Sequence, residues 1–274
     1  MEYSKRTRIL KGDICYSIDK HTLKTVSDGF IVCENGLIKG VFQQIPEQYK
    51  DFPMEDYNGK LIIPGLTDLH VHAPQYSFRG LHMDLELLEW LNTNTFPEES
   101  KYKDLEYARK AYRIFAGDLR RGGTTRASIF ATLHVPATKL LMELIEESGI
   151  RAYVGKVNMD RNSPDYLCES DALSSATQTV QWLKDTKDAY EHVKPIITPR
   201  FIPTCSDELM GMLADAQKEF QVPVQSHLSE NRGEIAWVRE LVPDSRFYGE
   251  AYDRFGLFGG ETPTIMAHCV HSSP

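Results

Sequence analysis

Apolar and polar positions divide the chain into two parts with different patterns. Residues 7–42 contain short apolar runs typical of strands, and Asn35-Gly36 lies between two of them. Both positions tolerate a positive φ, so this pair predicts a hairpin. From Leu61 onward, short apolar runs alternate with segments in which apolar residues recur every three or four positions. The pattern predicts a small β domain over residues 1–60 and a larger α/β domain over residues 61–274.

The larger domain is predicted to contain six strand–helix alternations. The predicted strands are 61–72, 124–132, 151–159, 193–202, 222–227 and 264–268. The predicted helices are 84–91, 105–121, 135–148, 172–190, one that begins at Ser206, and one around 234–241. Regular alternation implies parallel strands covered by helices, in a (β/α)8 barrel or a doubly wound sheet. No Gly-x-Gly-x-x-Gly motif follows a predicted strand, which weakens the interpretation as a dinucleotide-binding fold. Polar residues at several strand ends fit a barrel whose site lies at the C-terminal ends of its strands.

Composition narrows the classes of protein. The 274 residues are 41% hydrophobic, enough for a sizeable core. The net charge of -8, from 31 basic and 39 acidic residues, disfavours nucleic acid as a partner, because phosphate binding needs a basic face. Five widely spaced cysteines without a Cys-x-x-Cys pair argue against a disulfide framework and against a thiolate zinc site.

The N-terminal residues Met1–Arg6 lack the apolar core of a signal peptide. No apolar run approaches the roughly 20 residues that a membrane span needs. We therefore expect a soluble, cytoplasmic protein with no membrane partner.

Histidines at strand ends are the strongest chemical signal. The first apolar run of the larger domain ends in His70 and His72, which point to the same side because strand side chains alternate with period two. Two neutral imidazoles form half of a divalent metal site, although an isolated pair is most often a surface feature. His227 and His268 end later strands, which favours the metal interpretation. His134, after the second strand, could face the same cavity.

Six sequence blocks carry a resemblance to a known family: Pro64–Tyr76, Leu88–Leu91, Thr95–Glu99, Val154–Val157, Lys194–Phe201 and Gln225–Asn231. The first block resembles the first barrel strand of the amidohydrolase superfamily, and the others narrow the resemblance to the guanine deaminases. The similarity extends over essentially the whole chain from about Arg8. It implies an amidohydrolase-type (β/α)8 barrel of about six strands here, with part of a small β-sandwich domain from the N-terminus.

The resemblance also implies a metal site and an acid/base group. His70, His72 and His227 match metal-binding histidines, and His268 matches the sixth-strand histidine beside the metal and its water. The implied metal is zinc, one per site, with iron as the alternative. Glu230, which taken alone would be a helix-start residue, matches the glutamate that shuttles protons.

Three further residues match positions that contact the substrate: Gln75, Arg200 and Phe201. The first two can form hydrogen bonds with the polar edge of a purine, and the Phe201 ring can pack beside it. The implied reaction is hydrolysis of guanine to xanthine and ammonia by a homodimeric enzyme. The other zinc deaminase fold uses His-x-Glu and Pro-Cys-x-x-Cys, and neither motif is present.

The sequence departs from the family pattern at its C-terminus. The family continues through two more strands, the last of which carries a metal-binding aspartate, whereas this chain stops at Pro274. We therefore expect the chain to be a fragment, and the resemblance does not decide whether it is active without that aspartate. Two alternatives remain at this point: action on another aminopurine, a pterin or a triazine, or a non-catalytic binding protein of the same fold.

Overall fold

The computed structural model describes residues 7–273, which form two compact units that meet in sequence between Gly65 and Leu66. The sequence predicts this boundary at residue 60. Met1–Arg6, on which the expectation about a signal peptide rests, lie outside the described residues.

The first unit is a four-stranded sheet. Its strands are β1 Thr7–Ser17, β2 Leu23–Glu34, β3 Leu37–Phe42 and β4 Met54–Ile62. Their order is β3-β2-β1-β4, with β1 and β4 parallel and the other pairs antiparallel. Asn35 and Gly36 have φ values of 51° and 77° between β2 and β3, which confirms the predicted hairpin.

The second unit contains only parallel strand pairs among its described residues. The strands are β5 Leu66–His72, β6 Thr124–Phe130, β7 Arg151–Gly155, β8 Val157–Asn158, β9 Val193–Pro195, β10 Thr198–Pro199, β11 Val224–Leu228 and β12 Thr264–His268. They pair in the orders β5-β6-β7-β9, β8-β10 and β11-β12. A bridge between Ile197 and Val224 continues this succession. Counting each interrupted strand once gives the six strand positions that the sequence predicts.

Helices alternate with these strands. They are α1 Leu87–Trp90, a π-helical turn Leu91–Thr95, α2 Phe96–Ser100, α3 Leu105–Arg121, α4 Val135–Ser148, α5 Ala172–Thr186, α6 Asp207–Phe220, α7 Arg232–Leu241 and α8 Glu250–Asp253. Buried side chains such as Tyr112, Phe115 and Trp182 belong to the main apolar core of this unit. Within residues 7–273, none of the helices has the length and apolar character needed to cross a membrane.

The predicted strand over 61–72 is wrong, because it is two strands in different sheets. β4 ends at Ile62 in the first unit and β5 begins at Leu66 in the second. Pro64 between them has no N–H for a sheet hydrogen bond, and a glycine follows it. The end of β5 nevertheless carries both histidines.

Other element boundaries also differ from the prediction. The predicted strand 151–159 breaks at Lys156, and the predicted strand 193–202 breaks after Pro195, which cannot donate to a ladder. The helix predicted over 172–190 ends at Thr186. Beyond it, the Glu146 carboxylate accepts hydrogen bonds from the backbone N–H groups of residues 191–193, where β9 begins.

A buried ion pair at the break between β7 and β8 gives a stability prediction. Lys156 has an exposure of 0% and donates to the Glu169 carboxylate, which also accepts from Ser175 Oγ at 2.6 Å. We expect Glu169→Gln to lower the free energy of unfolding by about 3–5 kcal/mol, because it leaves a buried ammonium without its counterion. Urea denaturation measures the change.

The matched control is Asp185→Asn, which removes a half-exposed pair with Lys139 at 2.6 Å. Surface pairs contribute about 0–1 kcal/mol, so this variant should unfold close to the wild-type midpoint. Equal midpoints for Glu169→Gln and wild type would contradict the prediction.

Candidate active site

Four histidines from three strand ends meet in one cluster. His70 and His72 come from β5, His227 from β11 and His268 from the end of β12. The ring centroid of His70 lies 4.9 Å from that of His72, 4.9 Å from that of His227 and 4.8 Å from that of His268. The structure thus brings together all four histidines that the sequence predicts at the metal site. His134 does not line this cavity, and its Nε2 is buried elsewhere.

The nitrogen atoms of this cluster suit a shared cation. His72 Nε2 and His227 Nε2 are 2.9 Å apart, and ligand atoms of His70, His227 and His268 all lie within 4.8 Å of one another. Burial lowers the pKa of His70 to about 4 and lowers the pKa values of the other three histidines as well. The rings are therefore neutral near pH 7 and offer lone pairs, the form that binds a divalent metal.

Backbone contacts fix how His227 presents its ring. Its Nδ1 lies 2.6 Å from the carbonyl oxygen of Arg200, and a carbonyl only accepts, so Nδ1 carries the proton. The lone pair is then on Nε2, which faces the cluster. This orientation of a metal-binding histidine by a second group is common in metal sites. The Tyr252 hydroxyl donates to the His227 carbonyl at 2.7 Å and holds the end of β11.

Glu230 follows β11 and faces the same cluster. Its carboxylate Oε2 lies 3.3 Å from His268 Nε2. Burial and, to a smaller extent, the neighbouring charge of Glu234 raise the pKa of Glu230 to about 7, while Arg200 opposes the shift. A carboxyl group with a pKa near neutrality can both give and take a proton, as general acid/base chemistry requires.

Local hydrogen bonds set the backbone around Glu230. The carboxylate of Glu234 accepts from the N–H of Glu230 at 2.9 Å and from the N–H of Asn231 at 3.1 Å. With Asn231 as N-cap, these contacts form a capping box at the start of α7. The helix start therefore fixes the position from which Glu230 projects.

One cavity joins these groups to the predicted substrate-contacting residues. Its volume is about 180 Å³. The polar residues that line it are His70, His72, Gln75, Arg200, His227, Glu230 and His268. The apolar residues that line it are Leu87, Trp90, Leu91 and Phe201. The arrangement places hydrogen-bonding groups, an apolar surface and a carboxyl group around one small ligand volume.

Glu99 is a residue of this site that the sequence did not predict. Its only mention in the prediction is as part of the family block Thr95–Glu99. The side chain is 1% exposed, and its carboxylate contacts two residues that line the cavity. Arg200 Nη1 donates to it at 2.8 Å, and Gln75 Nε2 donates at 3.2 Å. No sequence signal separates Glu99 from the adjacent Glu98, since only the fold shows which carboxylate faces Arg200.

Comparison with known proteins identifies the relatives of this chain. Residues 61–274 match the model of the amidohydrolase family. The chain is 38% identical to guanine deaminase of Dictyostelium discoideum, over 100% of this chain and 64% of that protein. It is 40% identical to guanine deaminase of Escherichia coli strain K12, over 91% of this chain and 56% of that protein. The chain therefore spans about 64% or less of these relatives.

Solved structures of related proteins also superpose on this chain. A crystal structure of guanine deaminase from C. acetobutylicum, with guanine bound in its active site, superposes with a TM-score of 0.94 at 49% identity and covers 98% of this chain and 64% of that one. A triazine hydrolase superposes with a TM-score of 0.80 at 15% identity over 92% of this chain and 59% of that one, which indicates a shared fold alone. These similarities confirm the predicted barrel architecture.

Proposed function

The chain belongs to the amidohydrolase family, and on this basis we propose that it supplies the metal site and purine cavity of a guanine deaminase, which hydrolyses guanine to xanthine and ammonia. The observation that carries the proposal is the single cavity in which four neutral histidines, Glu230 and Arg200 meet. The guanine-bound relative at 49% identity supports guanine as the substrate.

The histidine cluster fits a divalent cation. Nε2 of His72 and Nε2 of His227 lie 2.9 Å apart, so one cation can contact both nitrogens in place of the proton that would otherwise be shared between them. The buried Nδ1 atom of His70 has no hydrogen-bond partner among the described residues. We propose that His70, His72 and His227 hold zinc, with His268 beside it and iron as the alternative. When bound, such an ion supplies Lewis acidity that makes water a nucleophile near neutral pH.

Glu230 is proposed to move the protons. As an acid it donates a proton to a ring nitrogen of guanine, which makes the carbon bearing the amine more electrophilic. Water adds its oxygen to that carbon and gives up a proton to the Glu230 carboxylate. The same group then protonates the departing amine, so the C–N bond breaks and ammonia leaves. The Glu230 carboxylate takes up the remaining hydroxyl proton as the carbonyl forms, which restores its acid form. His268, 3.3 Å from Glu230, keeps the carboxyl group oriented during these transfers.

The polar edge of guanine is proposed to meet Arg200 and Gln75. Arg200 offers N–H donors to the purine carbonyl oxygen, and Phe201 packs beside the ring. A buried site with such groups discriminates against a purine that lacks the complementary atoms, because its own polar groups are then left without partners. The five cysteines are free, which fits a reducing compartment, and we propose a cytoplasmic location. The homodimer stays a prediction.

The direct test is turnover of guanine by the full chain loaded with zinc. We expect release of equal amounts of ammonia and xanthine, and loss of both after chelation of the metal. Adenine should not react. Binding of zinc and guanine without release of ammonia would contradict deamination and favour the binding-protein alternative, whereas faster turnover of a pterin or a triazine would contradict guanine as the substrate.

A further inference from the structure

Two hydrogen-bond donors from different parts of the fold converge on one buried carboxylate. Arg200, which follows β10, donates from Nη1 to Glu99 Oε2 at 2.8 Å. Gln75, which follows β5, donates from Nε2 to Glu99 Oε1 at 3.2 Å. Each carboxylate oxygen thus has its own partner. Because both partners line the cavity and Glu99 does not, the carboxylate lies behind them relative to the ligand volume.

These contacts determine which atoms Gln75 and Arg200 present to a ligand. A carboxylate only accepts hydrogen bonds, so it is the amide NH₂ of Gln75 that faces it. The carbonyl oxygen Oε1 of Gln75 then remains as an acceptor, and no described residue donates to it. Arg200 uses Nη1 on Glu99, which leaves its other N–H groups for the cavity. The site therefore offers an acceptor beside a cationic donor.

The helix that carries Glu99 is built to hold this arrangement. Phe96 and Glu99 are three residues apart on α2 and share one helix face. The guanidinium carbon of Arg200 lies 5.3 Å from the centroid of the Phe96 ring, so that face contacts Arg200 with both a ring and a carboxylate. A π-helical turn, Leu91–Thr95, precedes α2, and such turns are frequent near functional sites.

We propose that Glu99 is a positioning residue for substrate selection, and that it acts through Gln75 and Arg200. It fixes the Gln75 amide with its carbonyl oxygen available to a ring N–H, and it holds Arg200 as donor to the neighbouring carbonyl oxygen of the ligand. This inference rests on the proposed function for the identity of the substrate. The ligand feature selected is an adjacent N–H and C=O pair on a six-membered ring, as guanine has.

Glu99→Gln is the sharpest substitution, because it keeps the size of the side chain and removes one acceptor. Glutamine offers one acceptor and one donor, whereas both of its partners in this site are donors. Either Arg200 loses its contact or the Gln75 amide must turn and present NH₂ to the ligand. The matched control is Glu98→Gln, on the same helix, whose carboxylate contacts Ser77, Lys101 and Tyr107 instead.

The experiment compares two ligands that cannot be deaminated. Hypoxanthine has the N–H and C=O pair, and unsubstituted purine lacks it. With the zinc-loaded full chain, we expect Glu99→Gln to raise the Kd of hypoxanthine about 10²-fold, since either Arg200 is no longer held as a charged donor or Gln75 presents NH₂ against the ring N–H. The Kd of purine should change by less than about 3-fold, and Glu98→Gln should match wild type for both ligands. Zinc content should be the same in all proteins.

Several outcomes would overturn the inference. These are equal loss of affinity for both ligands, no loss for hypoxanthine, or loss of zinc from Glu99→Gln, which would indicate a general structural role or an effect through His72 at 4.0 Å. Guanine turnover by the wild type is measured in parallel. An inactive wild type that still shows the expected Kd ratio would contradict the proposed reaction while supporting the role of Glu99.

Discussion

Replacement of His70 by alanine is expected to remove bound metal and to reduce guanine turnover by roughly 10³-fold or more, because water then stays a weak nucleophile at neutral pH. His70 is the histidine whose ring lies within 5 Å of all three others, with centroid distances of 4.9, 4.9 and 4.8 Å. Its loss removes a ligand from the centre of the cluster. Zinc content by elemental analysis and release of ammonia measure the two effects.

A stability measurement separates loss of metal from loss of fold. A ligand present at 100 times its Kd stabilises the folded state by about 2.7 kcal/mol, so zinc should raise the unfolding temperature of wild type. It should not do so for His70→Ala, whose metal-free form should unfold like metal-free wild type. His21→Ala, at an exposed position in the first unit, is the control and should behave as wild type. Full zinc binding and full turnover by His70→Ala would refute the assignment of the cluster.

The histidine cluster could be predicted from the sequence because it follows from general rules for side chains on strands and for parallel strands. The alternation of side chains along a strand puts His70 and His72 on one side, and parallel strands bring their carboxyl ends to the same end of a barrel. His227 and His268 follow from the same rule once the strands β11 and β12 are recognised. Helix α4 is also predicted from its local pattern of apolar residues, and its predicted limits match the observed Val135–Ser148.

The remaining features depend on contacts between distant residues. Glu99 is 101 residues from Arg200 in sequence, and nothing local to α2 shows that their side chains meet. The backbone between α5 and β9 is held by Glu146, which precedes its donor N–H groups at residues 191–193 by 45–47 positions. Periodicity reports which face of an element is buried, but not which polar group of another element it will contact there.

Replacement of Glu230 by glutamine is expected to lower kcat for guanine by about 10²–10⁴-fold, the usual contribution of a positioned general acid/base. Glutamine keeps the shape of the side chain and can still form a hydrogen bond with His268, but it cannot take up and release a proton. Burial and the adjacent Glu234 raise the pKa of Glu230 to about 7, so the carboxyl group is poised to do both. Steady-state release of xanthine gives kcat and KM separately.

The zinc content of Glu230→Gln distinguishes proton transfer from metal binding. The nitrogen cluster is made of histidines alone, so this variant should bind as much zinc as wild type and should bind hypoxanthine with nearly the same Kd. Glu240→Gln, at an exposed position of the same helix α7, is the control and should keep full kcat. If Glu230→Gln kept its kcat, or lost its zinc together with its activity, Glu230 would not be the group that moves the protons. An unchanged KM with a reduced kcat would instead locate its contribution in the chemical step, because the ligand-binding edge formed by Gln75 and Arg200 is intact in this variant.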